Sequence, residues 1–314
     1  MPNLVRPATK EVRSRIFDSA LWADYRPRAD DIVVATYPKC GTTWTQRIVS
    51  MLVAASAAPT PVVSPWFDMR LFGPVEAQLE LAESLTSRRI FKSHLPYDAM
   101  PLYEGVKFIH VARDGRDSAM SFHNHLRGFL PHAWQSVIEV SRADPKFGDD
   151  PPETEEDPAE YFKSWLADDG GAFGDPGAGY FYMENSYWAA RHDPNLLMVH
   201  YNDLKADREG EICRIAAFLG ITLPDAVWPQ VVEGAGFETM REQGAQIIPF
   251  AEAGWDGGAK RFLYKGTNGR WQNVVAQSDL DRYAAQVKAA FNPALAAWLE
   301  HGRAIAGDPT TTAD

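Results

Sequence analysis

A short turn in the sequence brings together a lysine and two threonines at a spacing that suits anion binding. Lys39, Thr42 and Thr43 surround Gly41, after a short apolar run and before a stretch with helical periodicity. In a strand–turn–helix unit, such a turn directs several backbone N–H groups and the positive end of the helix dipole to one point. The turn therefore predicts a phosphate or sulfate site; an ordinary βα turn with a surface lysine is the alternative interpretation.

Further basic and hydrogen-bonding residues come at or after the ends of other apolar runs. Lys92 and His94 end one such run, and Arg113 ends the next. The remaining members of this set are Ser121, Tyr201, Lys265 and Gly266. Taken singly, a lysine is usually solvated and a histidine is more often structural. Because ligands of parallel α/β sheets bind beyond the carboxyl ends of the strands, we expect these residues to converge on one ligand that carries two phosphate groups.

Signatures of other common catalytic sites are missing from the sequence. No Gly-Lys-Ser/Thr occurs, and Lys39 precedes Gly41, which argues against an ordinary ATPase. Neither His-Glu-x-x-His nor paired Cys-x-x-Cys is present, and Asp114 and Asp117 are better explained as capping residues of the helix that they begin. There is also no Gly-x-Ser-x-Gly nucleophile elbow. The residues therefore favour transfer of a charged group without a metal.

Size and composition indicate one soluble α/β domain. The chain has 314 residues, of which 45% are hydrophobic and 23% charged, so a sizeable core can form. Its net charge of −11, from 31 basic and 42 acidic residues, argues against broad binding to nucleic acid or to an anionic membrane. The sequence shows no run that could span a bilayer, no secretory signal, and only two cysteines. We therefore expect a cytoplasmic protein.

The elements that must position these residues follow from the alternation of apolar runs with helical periodicity. Core strands are expected at residues 32–35, 89–94, 107–113 and 196–201. Helices are expected at residues 45–55, 74–86, 116–126, 132–142, 158–168, 180–191 and 208–219, and a helical approach segment at residues 1–30. Strands that alternate with helices imply a mainly parallel sheet with helices on both faces. We expect a single domain over residues 1–314, with its core at about 20–300 and an irregular segment at about 127–178.

Five motifs occur in order over about residues 20–275. They are Tyr37-Pro-Lys-Cys-Gly-Thr-Thr-Trp44, Phe91-Lys-Ser-His-Leu-Pro96, Arg113 to Ser121, Val199-His-Tyr-Asn-Asp-Leu-Lys205 and Phe262-Leu-Tyr-Lys-Gly-Thr-Asn-Gly-Arg-Trp271. In these motifs the chain resembles the cytosolic type of sulfotransferase that uses 3′-phosphoadenosine-5′-phosphosulfate (PAPS), in a bacterial-like form. The resemblance implies a P-loop NTPase-like three-layer α/β fold, PAPS as donor, 3′-phosphoadenosine-5′-phosphate (PAP) as product, and no metal.

The resemblance also implies a role for each matched residue. His94 would be the base that takes the proton of the acceptor hydroxyl, Lys92 would steady the sulfuryl oxygens, and Lys39 would stabilise the leaving phosphate oxygen. Sulfuryl transfer should pass through a loose in-line transition state, so positioning and charge stabilisation are expected to dominate. The cofactor would be held by Lys39, Cys40, Gly41, Thr42 and Thr43 at the 5′-phosphosulfate, by Arg113, Ser121, Lys265 and Gly266 at the 3′-phosphate, and by Trp44, Tyr201 and Phe237 around adenine.

The sequence departs from the family pattern near its last motif. Tyr264 stands where the family has an arginine before Lys-Gly, and Arg270 stands where an acidic residue usually precedes Trp271. Arg270 could therefore supply the cation that position 264 lacks. The family's C-terminal dimerisation motif is not recognisable at residues 272–280, so the sequence leaves the oligomeric state open.

Aromatic residues indicate an apolar pocket for the acceptor, although any single aromatic side chain is more often part of the core. Trp66 is the strongest candidate because Pro65-Trp66 resembles an element of the family's substrate loop, and Phe67 and Phe129 are further candidates. Other members of this aromatic set are Phe72, Trp134, Phe173, Phe181 and Phe250. We therefore expect a small hydrophobic acceptor with a hydroxyl group, a phenol in preference to a sugar.

Two other functions are compatible with the residues. A P-loop-type small-molecule kinase would bind ATP at the same edge of the sheet, but it would need the missing Gly-Lys-Ser/Thr turn. A non-catalytic protein that binds PAPS or PAP would need the lysines but no base, and the presence of His94 close to Lys92 argues against it.

Overall fold

A parallel four-stranded sheet forms the centre of the protein, in a computed structural model that describes residues 1–171 and 179–313. The strands in this part of the chain are β1 (Leu4–Arg6), β2 (Ile32–Ala35), β3 (Ile90–Ser93), β4 (Leu102–Tyr103), β5 (Lys107–Ala112) and β6 (Leu196–His200). The central sheet has the order β3–β2–β5–β6, with every neighbouring pair parallel. β1 and β4 pair separately and antiparallel. The four core strands and the parallel sheet expected from the sequence are confirmed.

Helices make up most of the remaining described chain. They are α1 (Thr42–Ala54), α2 (Val75–Ser84), α3 (Gly115–Leu126), α4 (Pro131–Ala143), α5 (Pro158–Ala167), α6 (Tyr180–Ala189), α7 (Tyr201–Ala206), α8 (Arg208–Leu219), α9 (Trp228–Gly234), α10 (Phe237–Glu242), α11 (Gly244–Ile247), α12 (Phe250–Gly254), α13 (Gly258–Phe262), α14 (Gln277–Ala290), α15 (Pro293–His301) and α16 (Arg303–Ala306). Short 3-10 helices lie at Ser19–Asp24, Arg70–Phe72 and Tyr97–Ala99. Among the helices expected from the sequence, those at residues 116–126 and 208–219 correspond to α3 and α8.

Packed layers cover both faces of the sheet because alternate side chains of its strands point in opposite directions. Val33 and Ala35 of β2 belong to one apolar cluster, whereas Ile32 and Val34 belong to another. Side chains of α6 contribute to the first cluster, and side chains of α1 and α8 contribute to the second. All four residues of β2 are buried, as expected for an internal strand of a parallel sheet. The result is the three-layer α/β arrangement that the sequence predicts.

The register of the strands aligns their carboxyl ends at one edge of the sheet. Ala35 lies opposite Ser93 in β3 and His110 in β5, and Ala112 lies opposite His200 in β6. The chain therefore leaves all four strands on the same side of the molecule. This edge positions the functional residues described below.

Residues 1–30 do not form the helical approach segment that the sequence predicts. They contain β1 and the 3-10 helix at Ser19–Asp24, and no α-helix. Pro7 and Pro27 interrupt the backbone hydrogen bonds that a helix requires. Val12 and other apolar residues of the segment are buried in the first apolar cluster. Tertiary packing, in addition to the prolines, thus decides the path of this segment, and the prediction of a helix is wrong.

The segment at about 127–178 contains the two helices that the sequence predicts, α4 and α5. Phe173 lies outside the described residues, as does most of the glycine-rich stretch after α5. None of the helices in the described part of the chain combines the length and the apolar character that crossing a bilayer requires.

Candidate active site

A cavity of about 370 Å³ lies where the chain leaves the carboxyl edge of the sheet. It brings together the three residues assigned to catalysis and all but one of those assigned to the cofactor. These lining residues are Lys39, Gly41, Thr42, Thr43, Trp44, Lys92, His94, Arg113, Ser121, Tyr201, Phe237, Lys265 and Gly266. Their segments are far apart in the sequence, so the fold itself creates the site.

The turn between β2 and α1 depends on two residues with positive φ. Lys39 has a φ of 69° and Gly41 a φ of 118°. A Cβ atom at position 41 would lie 3.2 Å from Cδ2 of Tyr201, so glycine satisfies both the backbone conformation and the close approach of the ring. α1 begins directly afterwards at Thr42, whose hydroxyl lies 2.5 Å from that of Thr36. The free N–H groups at the start of this 13-residue helix therefore lie at the cavity, in a position suited to an anion.

Two of the lysines that line the cavity, Lys39 and Lys92, are half-buried, and among the described residues neither has a carboxylate at ion-pair distance. Nζ of Lys39 lies 3.2 Å from Nδ1 of His125 and 4.6 Å from the ring centre of Phe262. Nζ of Lys92 lies 3.4 Å from the ring centre of Trp66. Burial and neighbouring positive charges lower the pKa of each lysine from 10.5 to about 7. A lowered pKa means that the charged form of each lysine is disfavoured in the cavity. A bound anion would stabilise the charged form, because its negative charge would compensate the positive charges of the lysines.

The imidazole of His94 is held in one orientation and one tautomer. Its Nδ1 lies 2.6 Å from the carbonyl oxygen of Thr36, and its ring packs edge-on against Phe17 and Trp66. A carbonyl can only accept, so Nδ1 carries the proton and Nε2 has a free lone pair. Burial, followed by the charge of Lys92, holds the pKa of His94 well below its usual range. The side chain is therefore a neutral base.

Asp68 supports this part of the site, and sequence reasoning missed it. Its carboxylate is fully buried and accepts hydrogen bonds from the backbone N–H of His94 and from the indole N–H groups of Trp66 and Trp22, each at 3.1 Å. Burial raises the pKa of Asp68 above its usual value. An acidic residue two positions after Trp66 is the signal that could have indicated it.

Arg113 lies at the other end of the cavity and donates to neutral groups. Its guanidinium donates to Oδ1 of Asn268 at 2.7 and 3.1 Å, and to the carbonyl oxygens of Thr267 and Lys39. It also lies 4.2 Å from the ring centre of Tyr201. Asn268, which the sequence reasoning did not single out, thus fixes the direction of this cation.

Three aromatic rings enclose a slot beside Arg113. Trp44 and Tyr201 meet edge to face, with ring centres 5.5 Å apart, and the indole N–H of Trp44 donates to the carbonyl oxygen of Ala235. Phe237 lies across the backbone of Gly266, where an added Cβ would come within 2.7 Å of the ring. Gly266 also has a φ of 61°. The positive φ and the close approach of the Phe237 ring both favour glycine at this position. Such a slot suits a planar heterocycle.

Arg270 also lines the cavity, next to the position where the family arginine is replaced. Its guanidinium lies 5.3 Å from the ring centre of Tyr264 and, within the described chain, forms no ion pair. Burial and then the charge of Arg113 lower the pKa of Arg270. Lys265 is exposed at the rim. Apart from Lys265 at the rim, four cations with no carboxylate at ion-pair distance among the described residues therefore share one cavity: Lys39, Lys92, Arg113 and Arg270.

Much of the cavity is lined by apolar side chains. Trp66, Phe129 and Phe250 line it as the sequence predicts. Its other apolar lining residues were not foreseen, because they come from segments without a local motif: Ile16, Phe17, Met69, Leu71, Phe122, Met240, Trp255, Phe262 and Leu263. Exposed His132 and Ser136 lie at the edge near α4.

Several candidates from the sequence do not reach the cavity with their side chains. The thiol of Cys40 is buried 3.3 Å from the hydroxyl of Ser118, and burial raises its pKa. The ring of Phe67 packs in the core against Trp22 and Phe91. Phe181 is likewise in the core, and Trp134 packs against Phe129. Phe67 therefore does not line the cavity, and at position 40 only the backbone could contribute to the site.

No cluster of three or more potential metal ligands from histidine, cysteine, aspartate and glutamate occurs in the described ranges. Asp114 instead caps α3 by accepting from the N–H of Arg116, and Asp117 accepts from the N–H of Gly269. Asp114 therefore has the capping role that its sequence position predicts, whereas Asp117 anchors a distant loop.

Comparisons with known proteins show which proteins this chain is similar to. The family profile described as sulfotransferase domain matches residues 29–295. A glycolipid sulfotransferase of Mycobacterium bovis is 30% identical over 324 residues, which cover 96% of this chain and 98% of the relative. Sulfotransferase 1A1 of the dog is 25% identical, over 91% of this chain and 93% of the relative.

Solved structures show the same fold. Mouse sulfotransferase SULT7A1 complexed with PAP superposes with a TM-score of 0.65 at 20% identity, over 93% of both chains. Retinol dehydratase in complex with androsterone and the inactive cofactor PAP gives a TM-score of 0.64 at 25% identity, over 88% of this chain and 84% of the other.

Proposed function

Because the chain belongs to the sulfotransferase family and is a PAPS-dependent enzyme, we propose that it transfers the sulfuryl group to a hydroxyl of a small hydrophobic acceptor, a phenol or an alcohol. His94 is the proposed base, and Lys39 and Lys92 are the proposed charge-stabilising residues. The observation that carries this proposal is the convergence in one cavity of a neutral imidazole and several cations that have no carboxylate partner among the described residues. Family membership also removes the kinase and the non-catalytic binder as alternatives.

The proposed contacts of the cofactor follow the distribution of charge. The turn with Lys39, Gly41, Thr42 and Thr43 would hold the 5′-phosphosulfate through backbone N–H groups, hydroxyls and one ammonium. Arg113, Ser121, Lys265 and Gly266, with Arg270, would hold the 3′-phosphate. Trp44, Tyr201 and Phe237 would enclose the adenine ring. The side chain of Cys40 has no part in this arrangement, because it points into the core.

His94 can accept a proton because its Nε2 lone pair is free while Nδ1 donates to Thr36. In the proposed reaction the acceptor hydroxyl loses its proton to Nε2 as its oxygen bonds to sulfur, and the bond from sulfur to the bridging phosphate oxygen breaks. The negative charge of the cofactor, which supplies the sulfuryl group, would offset the low basicity that burial imposes on the ring. General base catalysis of this kind contributes about 10²- to 10⁴-fold in rate.

The two lysines are placed for the charge that builds up during transfer. Lys39 follows the β2 end and would face the leaving phosphate oxygen, and Lys92 would face the sulfuryl oxygens. Stabilising charge with fixed groups in a partly desolvated site is the main source of catalysis in a loose in-line displacement.

A His94→Ala variant tests the proposal directly. We expect phenol turnover to fall about 10²- to 10⁴-fold, whereas the affinity for PAP, measured by calorimetry, should change less than about threefold. His192→Ala is a matched control, because His192 is exposed in the loop before β6. Equal turnover by His94→Ala and wild type would exclude His94 as the base. Binding of ATP in preference to PAP would contradict the proposed cofactor site.

A glycolipid is the second candidate acceptor. The Mycobacterium bovis relative is named for this activity at 30% identity over nearly the whole chain. The apolar part of the cavity also reaches the surface beside exposed Ser136 and beside Phe250, which is 47% exposed, so a long acceptor could extend outward. A comparison of kcat/KM for a simple phenol and for a glycolipid with a free sugar hydroxyl shows which of the two acceptor classes the enzyme prefers. Turnover of the glycolipid alone would overturn the phenol proposal and leave sulfuryl transfer intact.

A further inference from the structure

A second histidine, His125, lines the cavity, and the proposed reaction leaves it without a role. His125 belongs to the last turn of α3, and its Nδ1 lies 3.2 Å from Nζ of Lys39. When Lys39 is protonated its ammonium can only donate, so in that state Nδ1 is the unprotonated nitrogen and Nε2 carries the proton. The imidazole therefore offers the lysine a neutral hydrogen-bond acceptor.

Aromatic packing fixes the imidazole of His125 in place. Its ring centre lies 4.7 Å from that of Trp255 and 5.4 Å from those of Phe129 and Phe262. The indole N–H of Trp255 also donates to the carbonyl oxygen of His125. Lys39 thus lies between an immobilised imidazole and the face of Phe262. A lysine side chain with four rotatable bonds would otherwise have several directions open to it.

The other charged surroundings of Lys39 do not provide an acceptor. The charged and titratable groups that face it are Arg113 from the end of β5, Arg270 from the segment before α14, Lys92 and His94 from the end of β3, and His125 from α3. The cations in this set disfavour the protonated lysine, and the hydrogen bond that its Nζ forms within the described chain is to Nδ1 of His125 rather than to His94. Burial, together with the charge of Lys39, holds the pKa of His125 well below its usual range, so its ring stays neutral.

We propose that His125 is a positioning residue for Lys39: its Nδ1 accepts a hydrogen bond from the ammonium and directs the side chain at the anion site. The proposal rests on the proposed role of Lys39 in sulfuryl transfer. Without Nδ1, the ammonium would lose an acceptor while the repulsion from neighbouring cations remained. The charged form of Lys39 would then become less favourable, and its pKa would fall.

Two substitutions at position 125 separate hydrogen bonding from packing. His125→Asn retains an acceptor oxygen close to the position of Nδ1, whereas His125→Phe retains a ring of similar shape without an acceptor. His125→Leu is a second acceptor-free variant in case the phenylalanine variant does not fold. Thermal unfolding of all variants establishes which ones are folded before they are compared.

The first measurement follows the titration of Lys39 in the unliganded protein by NMR, with lysine labelled at Cε and Nζ and the Lys39 signal assigned by its loss in Lys39→Met. We expect the acceptor-free variants to lower the pKa of Lys39 by about one unit and the asparagine variant to stay within about 0.3 units of wild type. An unchanged pKa in His125→Phe would overturn the proposal. Equal decreases in the phenylalanine and asparagine variants would also overturn it, because they would show that the pKa of Lys39 does not depend on a hydrogen-bond acceptor at position 125.

The second measurement is the pH profile of kcat with a phenol acceptor. The acceptor-free variants should lose activity at a lower pH on the alkaline side and should be about tenfold slower than wild type at pH 8. The kcat of His125→Asn at pH 8 should stay within about threefold of the wild-type value. If wild type failed to turn over PAPS at all, the proposed function would fail, whereas the NMR titration would still decide the role of His125.

Discussion

At the scale of single residues, the lysines of the site are placed where the folded protein opposes their charge. The ammonium of Lys92 lies against Trp66, and its pKa is lowered to about 7 by burial first and then by Lys39. The unfolded chain binds more protons than the folded chain between about pH 7 and pH 10.5, so this group makes stability rise with pH across that window. Below pH 7 Lys92 is charged in the folded protein, so its burial lowers the stability of the fold by the full amount. A residue kept despite such a cost is typical of a functional site.

Replacing Lys92 by methionine should therefore stabilise the unliganded protein while it removes activity. We expect the free energy of unfolding to rise by about 2 kcal/mol at pH 6, because a methionine fills the apolar space without a charge. The gain should shrink towards pH 10, where the lysine is neutral in the folded protein as well. Chemical denaturation at both pH values measures the effect.

Lys288→Met serves as the control for this experiment, since Lys288 is an exposed residue of α14. Its unfolding free energy should remain within about 0.5 kcal/mol of wild type. A loss of stability in Lys92→Met at pH 6 would contradict the electrostatic argument.

At the scale of elements, the segment of residues 264–271 completes the cationic site from outside the sheet. Arg113 donates to Asn268 of this segment, Lys205 of α7 donates to the carbonyl oxygen of Gly266, and Asp117 of α3 accepts from the N–H of Gly269. Three elements therefore hold one irregular segment, and this arrangement brings Arg270 into the cavity. The position of Arg270 is thus fixed by tertiary contacts around it.

Arg270→Met should weaken PAP binding about tenfold or more, because a partly buried cation would no longer face the proposed 3′-phosphate. Binding of adenosine 5′-phosphosulfate, which lacks that phosphate, should change by less than about threefold. Calorimetry with both ligands measures the difference. Arg282→Met is the control, since Arg282 is 56% exposed on α14 and pairs with Asp279. An equal loss of affinity for both ligands would show that Arg270 does not contact the 3′-phosphate.

At the scale of the whole molecule, the cavity has a charge opposite to that of the protein. The chain has a net charge of −11, yet Lys39, Lys92, Arg113 and Arg270 share one cavity. A local cationic site in an acidic protein discriminates against polyanions that cannot enter the cavity, such as nucleic acid. It also couples the binding of an anion to the protonation of the lysines.

PAP binding should therefore take up protons at pH 8 and take up almost none through the lysines at pH 5.5. Lys39 and Lys92, with pKa values of about 7, are mostly neutral at pH 8 without ligand, and the phosphates of PAP should raise those values. The phosphates are fully ionised at pH 8, so the protons must go to the protein. Affinity should fall as the pH rises above 7.

Calorimetry in buffers with different ionisation enthalpies measures this uptake, which should approach about two protons at pH 8. The Lys39→Met and Lys92→Met variants should each reduce it by about one. Binding at pH 8 without proton uptake would contradict neutral lysines in the unliganded cavity.

Much of the scaffold was predictable because its signals are local. The apolar runs that form β2, β3, β5 and β6 are each interrupted by a turn or a polar residue, so their ends could be assigned from the sequence. The N-terminal 30 residues were not predictable in this way, since packing against the core and two prolines decide their conformation. That the whole chain is a single domain stays a prediction.

The sequence by itself determined the strand ends and the residue types placed there, and therefore the chemistry of Lys39, Lys92, His94 and Arg113. Only the tertiary structure decided which partners these residues meet: Thr36 and Asp68 for the His94 segment, and His125 for Lys39. It also decided that Phe129 lines the cavity whereas Phe67 lies in the core. The physical reason is that burial, orientation and electrostatic cost depend on side chains that are distant in the sequence and meet only when the chain has folded.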